Sequence, residues 1–274
     1  MVTSRSSPRL GTSCEHSASF VSMRQPRERR DDQPAFVLHT YPYRETSVIV
    51  EALTAAYGRV ALVARGARRA RSELRGVLQA FQPLSLSWSG AGELKTLVKA
   101  DWRGGLPLVG GSALLCGFYL NELLLKLLPR EDPHPQLYRD YEAALVELAG
   151  SAEQAPALRR FELKLLSELG YALPLTHEAD TGRPVDPAER YYYAFDRGPR
   201  LRIAEPGQRY PQVRGATLLA LAQQDFSAPE SAAEAKRLMR EVLDHYLEQR
   251  TIVSRRVVRD LQAMEETGDD SSDD

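Results

Sequence analysis

The sequence predicts an α+β chain in two parts, a five-stranded N-terminal barrel over residues 34–106 and a mainly α-helical domain with a small hairpin region over 107–262. Three observations carry this: short β-branched and aromatic runs with period-two alternation up to Trp102, a Gly104-Gly105-Leu106-Pro107 break, and apolar residues at helical spacing beyond it. Residues 1–33, rich in Ser, Arg and Asp and poor in apolar groups, predict a disordered extension without the hydrophobic core of a secretory signal. Residues 263–274 predict a disordered acidic tail.

The strand-like runs are 35–41, 46–53, 59–65, 83–89 and 93–102. Tyr57-Gly58 joins the second to the third, and Gly90-Ala91-Gly92 joins the fourth to the fifth. Between the third and fourth, Leu74, Val77, Leu78 and Phe81 lie at helical spacing, predicting a helix over about 71–82. Five strands with a helix between the third and fourth match the plan of an OB-fold barrel, although an SH3-like barrel also uses five. Helices follow over 111–129, 135–149 and 156–169, the last two closed by Gly150 and Gly170 as C-terminal caps. Tyr191–Phe195 and Leu201–Ala204 form a hairpin around Asp196-Arg197-Gly198-Pro199. Helices over 214–224 and 230–262, the latter interrupted near 249–254, close the chain.

A composition of 43% hydrophobic and 27% charged residues over 274 positions is globular, with room for two modest domains. The longest apolar run, Leu114 to Leu128, is broken by Asn121, Glu122 and Lys126, so no membrane span is expected. Cys14 and Cys116 are too few for a disulfide framework or a four-thiolate zinc site, and a reducing cytoplasm fits. The overall charge of −1 hides segregation. Residues 35–105 hold ten basic and five acidic side chains, 106–274 hold 20 and 28, and six of those acids fall in the last ten positions. A basic first third points to a polyanionic partner.

Arg65-Gly66-Ala67-Arg68-Arg69-Ala70-Arg71, with Arg75 just beyond, follows a strand. Small neighbours let a phosphate backbone approach while guanidinium forks contact it; the bland alternative is a solvated basic loop. With Arg44, Arg59 and Lys95 from the same segment, these are the candidates for binding a nucleic-acid backbone. Tyr41, Tyr43, Phe81, Trp88 and Trp102 are candidates for stacking on unpaired bases or, more simply, for the barrel core. In the helical part, Leu158-Arg159-Arg160-Phe161-Glu162-Leu163-Lys164-Leu165-Leu166 pairs two arginines with an apolar stripe, a surface suited to an acidic peptide ending in a hydrophobic residue, or to an ordinary amphipathic helix. Phosphate-loop, dinucleotide, zincin and nucleophile-elbow motifs are missing, and His16, His39, His134, His177 and His245 are dispersed. His177-Glu178 with Asp180 reads as a polar turn. No enzymatic role, cofactor or metal is expected.

Ala35-Phe36-Val37-Leu38-His39, Arg44-Glu45-Thr46-Ser47, Gly58-Arg59-Val60, Ala64-Arg65-Gly66-Ala67-Arg68, Ala157-Leu158-Arg159-Arg160-Phe161-Glu162-Leu163 and Leu169-Gly170-Tyr171, taken in order, resemble the bacterial RecO recombination-mediator proteins over about 35–262. The resemblance implies an N-terminal OB domain, a helical C-terminal domain, a cytoplasmic, nucleoid-associated protein, binding to single- and double-stranded DNA, and annealing of complementary strands. With RecR as partner, it implies loading of RecA onto strands coated by single-strand-binding protein (SSB). It further implies that the acidic C-terminal tail of SSB is held near Arg159, Arg160 and Leu163. Some relatives carry a four-cysteine zinc motif; the corresponding stretch here, Leu175 to Asp186, has no cysteine, so zinc is not expected. Two other function classes remain open from sequence: an OB-fold RNA-binding protein, and a Mg²⁺-dependent nuclease using Glu162, Glu168 or Asp180. The tail from Glu265 to Asp274 is expected to cover the basic face transiently in competition with DNA, or simply to solubilise the chain.

Overall fold

A computed structural model describes residues 28–202, 209–247 and 251–257. Five strands, β1 (Arg29–Tyr43), β2 (Ser47–Thr54), β3 (Gly58–Ala64), β4 (Pro83–Ser89) and β5 (Leu94–Trp102), close a barrel in the order β1-β2-β3-β5-β4. All pairings are antiparallel except β3 with β5, a short parallel seam from Ala61↔Leu94 to Val63↔Thr96. Long β1 closes the barrel by pairing with β4 through its first half and with β2 through its second.

The run Ala35-Phe36-Val37-Leu38 is buried on both faces. Successive side chains of a strand point to opposite faces, so Ala35 and Val37 join the barrel core while Phe36 and Leu38 join the core of the helical body. That body comprises α2 (Ser112–Leu127), α3 (Pro135–Gly150), α4 (Ala155–Glu168), a small sheet β7-β6-β8 (β6 Arg190–Ala194, β7 Gly198–Arg200, β8 Gln212–Arg214), α5 (Gly215–Gln223) and α6 (Pro229–Tyr246), with 253–257 helical beyond it. Phe36 packs against Tyr138 and Tyr141 of α3, each ring centroid 5.2 Å away. A bulge between Val37 and His39 takes Leu38 out of the ladder with β2. The Leu38 carbonyl accepts instead from Asn121 Nδ2 at 2.8 Å, and Asn121 Oδ1 accepts from the Tyr141 hydroxyl. The polar residue that interrupts the apolar run of α2 thus satisfies the bulged backbone of the barrel.

A second contact joins the parts. Glu51 on β2, 2% exposed, pairs with Arg59 on β3 at 3.0 Å and with Arg130 in the α2–α3 connection. Arg59 Nε donates to the Leu128 carbonyl at 3.0 Å, and Lys95 pairs with Glu131. Gly58, at φ +63°, lies so close to this connection that a Cβ would meet the Asp132 carbonyl oxygen at 2.0 Å.

Several boundaries differ from expectation. Arg29 to Gln33 belong to β1, not to a disordered extension; their side chains are mostly exposed, so composition resembles a solvated tail while the backbone pairs with β4. The helix expected over 71–82 is one turn, α1 (Leu74–Val77), because Leu78 turns into the barrel core and Phe81, at φ +66°, packs on Phe118 of α2 at 5.0 Å. A longer helix could not serve both cores. Gly170 caps α4 in the left-handed region, with Tyr171 N donating to Leu166 O and Gly170 N to Ser167 O, whereas Gly150 is the last residue of α3 and is followed by extended Ser151. The hairpin turns earlier than expected, Ala194 pairing with Gly198. β8 was not expected, and residues 203 and 204 of the proposed second strand lie outside the described residues, as do 1–27 and the acidic tail.

Replacing Asn121 by Leu should strand the Leu38 carbonyl and the Tyr141 hydroxyl in the junction, at about 1–3 kcal/mol for each buried polar group left unpaired. Chemical denaturation should show a loss of about 2–4 kcal/mol, partly recovered when Tyr141→Phe is added.

Candidate nucleic-acid interface

The chain leaves β3 at Ala64 and enters a loop of successive tight turns. Ala67 is drawn into the barrel core at 4% exposure, and Arg68 N donates to the Thr46 carbonyl at 2.9 Å, tying the loop to the β1–β2 turn. Arg69 N donates to Gly66 O, Ser72 N to Arg69 O and Arg75 N to Ser72 O, so the backbone satisfies itself while Arg65, Arg68, Arg69, Arg71 and Arg75 stand exposed. Arg44, at the β1–β2 turn, lies over the Tyr43 ring with its guanidinium 5.1 Å from the centroid. Among the described residues none of these arginines is held in an ion pair. Such groups stay available to an external anion.

Two depressions flank the loop. The larger, about 530 Å³, runs over the β3–β5 seam and is lined by Tyr43, Arg44, Ser47, Arg65, Arg69 and Thr96 among others. It therefore collects the β1–β2 turn, the end of β3 and the start of β5; the β1–β2 loop and the face of strands 2 and 3 are part of the surface through which an OB fold takes oligonucleotides. Unbalanced cations in a cleft focus the field on an approaching polyanion. The smaller, about 340 Å³, lies over β1 and β2 with Arg68, Arg75, Thr40, Val48, Leu74 and Leu78. The second depression carried no sequence signal beyond the arginines themselves.

The expected set is thereby divided. Arg44, Arg65, Arg68, Arg69 and Arg75 line the depressions, and Arg71 is exposed on the loop between them. Arg59 and Lys95 do not belong there: their side chains, 15% and 10% exposed, are consumed by Glu51 and Glu131 at the barrel–helix junction. Of the aromatics, Trp88 and Phe81 are core, and Trp102, 63% exposed, sits six residues along β5 from Thr96, roughly 20 Å at strand spacing. Tyr41 is exposed against His39, their ring centroids 4.4 Å apart, and Tyr43 is the ring that lines the larger groove.

On α4 the three residues expected to hold a peptide do not converge. Adjacent helical positions diverge by about 100°. Arg159, 8% exposed, turns inward to Glu162 and toward the Lys236 carbonyl, while Arg160 pairs with Glu147 at the surface, 5.8 Å from the Phe226 ring, and Leu163 packs half-buried on the core. Glu162 is fully buried: its Oε1 accepts from Tyr119 Oη at 2.7 Å and from Arg159, and its Oε2 has no partner among the described residues. Burial holds this carboxyl above the ordinary carboxylate range despite the opposing pull of Arg159 and Tyr119. Arg255 donates to Tyr119 Oη at 3.1 Å and pairs with Asp244 at 2.6 Å, extending the network to residues 253–257. The carboxylates considered for metal-dependent cleavage are scattered, Glu162 in this core, Glu168 beside His134 at 3.7 Å, and Asp180 tied to Arg200 at 2.8 Å. The stretch Leu175 to Asp186 is closed by its own hydrogen bonds, Val185 N to Thr176 O, Glu178 N to Arg183 O, and the Thr181 hydroxyl to Glu178.

The family model described as Recombination protein O N terminal matches residues 30–105, and Recombination protein O C terminal matches 110–256. The chain is 54% identical over 238 residues to the DNA repair protein RecO of Aromatoleum aromaticum, covering 87% of this chain and 99% of that protein. It is 51% identical over 238 residues to the RecO of Azoarcus sp., with 86% and 98% covered, and 48% identical over 241 residues to that of Nitrosospira multiformis, with 87% and 98% covered. No helix among the described residues is long and apolar enough to cross a membrane.

The Glu162 carboxyl gives a pH signature. Because its folded value is raised, its contribution to stability is present below the ordinary carboxylate range and is lost as pH rises through the folded value, where the unfolded chain is already ionised. Glu162→Gln removes that linkage. As pH rises above the ordinary carboxylate range, the thermal midpoint of the wild type should fall relative to that of the variant; parallel profiles would contradict the assignment.

Proposed function

Because the chain belongs to the RecO family of DNA repair proteins, we propose that its barrel holds single- and double-stranded DNA by the phosphate backbone in the arginine-lined grooves and anneals complementary strands. The observation that carries this is the set of guanidinium groups with no ion-pair partner among the described residues, Arg44, Arg65, Arg68, Arg69, Arg71 and Arg75, gathered by one loop and one turn at the open end of the barrel. The matched names are those of a recombination and repair protein, and annealing requires no bond to be made or broken by the protein. Neutralising phosphates lowers the repulsion between two strands, and contacts restricted to phosphate and sugar leave the pairing edges of the bases free. Tyr43, on the groove wall, adds a surface on which a base can stack without sequence preference.

In the same reading the protein, with RecR, helps load RecA onto SSB-coated single-stranded DNA. The helical body receives the acidic tail of SSB, and the structural support for this is confined to Arg160. Its pair with Glu147, both side chains about a third exposed, is a surface ion pair of small net worth that an acidic peptide can displace. Arg159 serves inside the fold.

The test is annealing of complementary strands coated by SSB, with and without the protein, together with the salt dependence of single-strand affinity. Replacing Arg65, Arg68, Arg69 and Arg71 by Ala should weaken binding equally across sequences. It should also flatten the slope of log K against log salt by about 0.7 per lost phosphate contact, or about 3 in all. An unchanged slope removes the loop from the interface, and preference for RNA in side-by-side competition would favour an RNA-binding role.

A further inference from the structure

The arginine loop is a partition with two cationic sides. Ala67 is its buried anchor, and the Arg68 backbone is fixed to Thr46. From that anchor Arg65 and Arg69 face the β3–β5 seam with Arg44, while Arg68 and Arg75 face β1 and β2. The two depressions have no lining residue in common. They also differ in character: the larger offers the hydroxyls of Tyr43, Thr46, Ser47 and Thr96 between its arginines, and the smaller has an apolar floor of Val48, Leu74 and Leu78. Among the described residues no carboxylate pairs with the guanidinium groups of either side, so each side is open to an external anion of its own. One strand serving both would have to climb over the loop.

We propose that the two grooves are separate strand sites, so that one molecule carries two single strands at once, one on each side of the loop, and pairing begins over its crest. The smaller groove, with Arg68 and Arg75, is the second DNA site. Holding both strands on one barrel turns their encounter into an intramolecular event governed by effective concentration, beyond what charge neutralisation alone supplies. This rests on the reading that the barrel binds DNA, and the test separates the two.

Non-complementary oligodeoxynucleotides of about 8 and about 16 nucleotides, within the range one OB fold accommodates, are titrated into the full chain, and strands per chain are counted by native mass spectrometry. Two strands per chain are expected at both lengths. Arg65→Ala with Arg69→Ala, and separately Arg68→Ala with Arg75→Ala, should each leave one strand bound with its affinity within about twofold, and each should slow annealing of bare complementary strands by about tenfold or more, with unchanged thermal midpoints. Saturation of the wild type at one strand at either length, or a single isotherm weakened alike by both pairs of substitutions, overturns the two-site proposal and leaves DNA binding intact. Failure of the wild type to bind either oligonucleotide removes the underlying reading instead.

Discussion

Over four residues, Ala35 to Leu38, β1 is a wall shared by two hydrophobic cores, and the position of everything else follows from that. A strand apolar on both faces must be covered on both. The barrel closes around Ala35 and Val37, and α2 and α3 close over Phe36 and Leu38. Where the ladder breaks at Leu38, Asn121 replaces the missing partner. The covered flank of the barrel is fixed in this way, and the end carrying the β1–β2 turn and the loop after β3 is left open.

That division decides what each cation does. On the covered flank, the Arg59 and Lys95 side chains are too deeply placed to remain unpaired; Glu51 pairs with Arg59 and with the more exposed Arg130, and Glu131 pairs with Lys95. At the open end no such pairing exists among the described residues, and the loop is held by backbone hydrogen bonds that use none of its guanidinium groups. The same residue type is thus cement in one place and open to solvent in another, and contact with the α2–α3 connection separates the two. A cleft of unbalanced guanidinium groups on a rigid barrel suits a ligand that is a long polyanion without fixed sequence.

Much of the fold was legible because its signals are local. The five strands fall within a few residues of their expected places, since alternation and the Gly-containing turns are written in adjacent positions. Arg29 to Gln33 were missed because ladder pairing with β4 uses backbone atoms that composition does not report. The helix at 71–82 failed because Leu78 and Phe81, evenly spaced in sequence, belong to different cores. In the site, the run from Arg65 to Arg75 was visible as a charge cluster, but Arg59 and Lys95 look the same in sequence and are separated only by the acids that meet them from residues 51 and 131. The inward turn of Arg159 is hidden differently: its acid, Glu162, lies only three residues on, but Tyr119, which shares that acid, and the Lys236 carbonyl lie far along the chain.

In the proposed mode of binding, DNA occupies the open end of the barrel and spares the junction with the helical body. Amide hydrogen exchange with and without single-stranded DNA tests it most directly. Added protection should concentrate at 43–47 and 65–78, with no change at 128–134 or along α3. Protection centred on the junction, or on the helical body alone, would contradict the account.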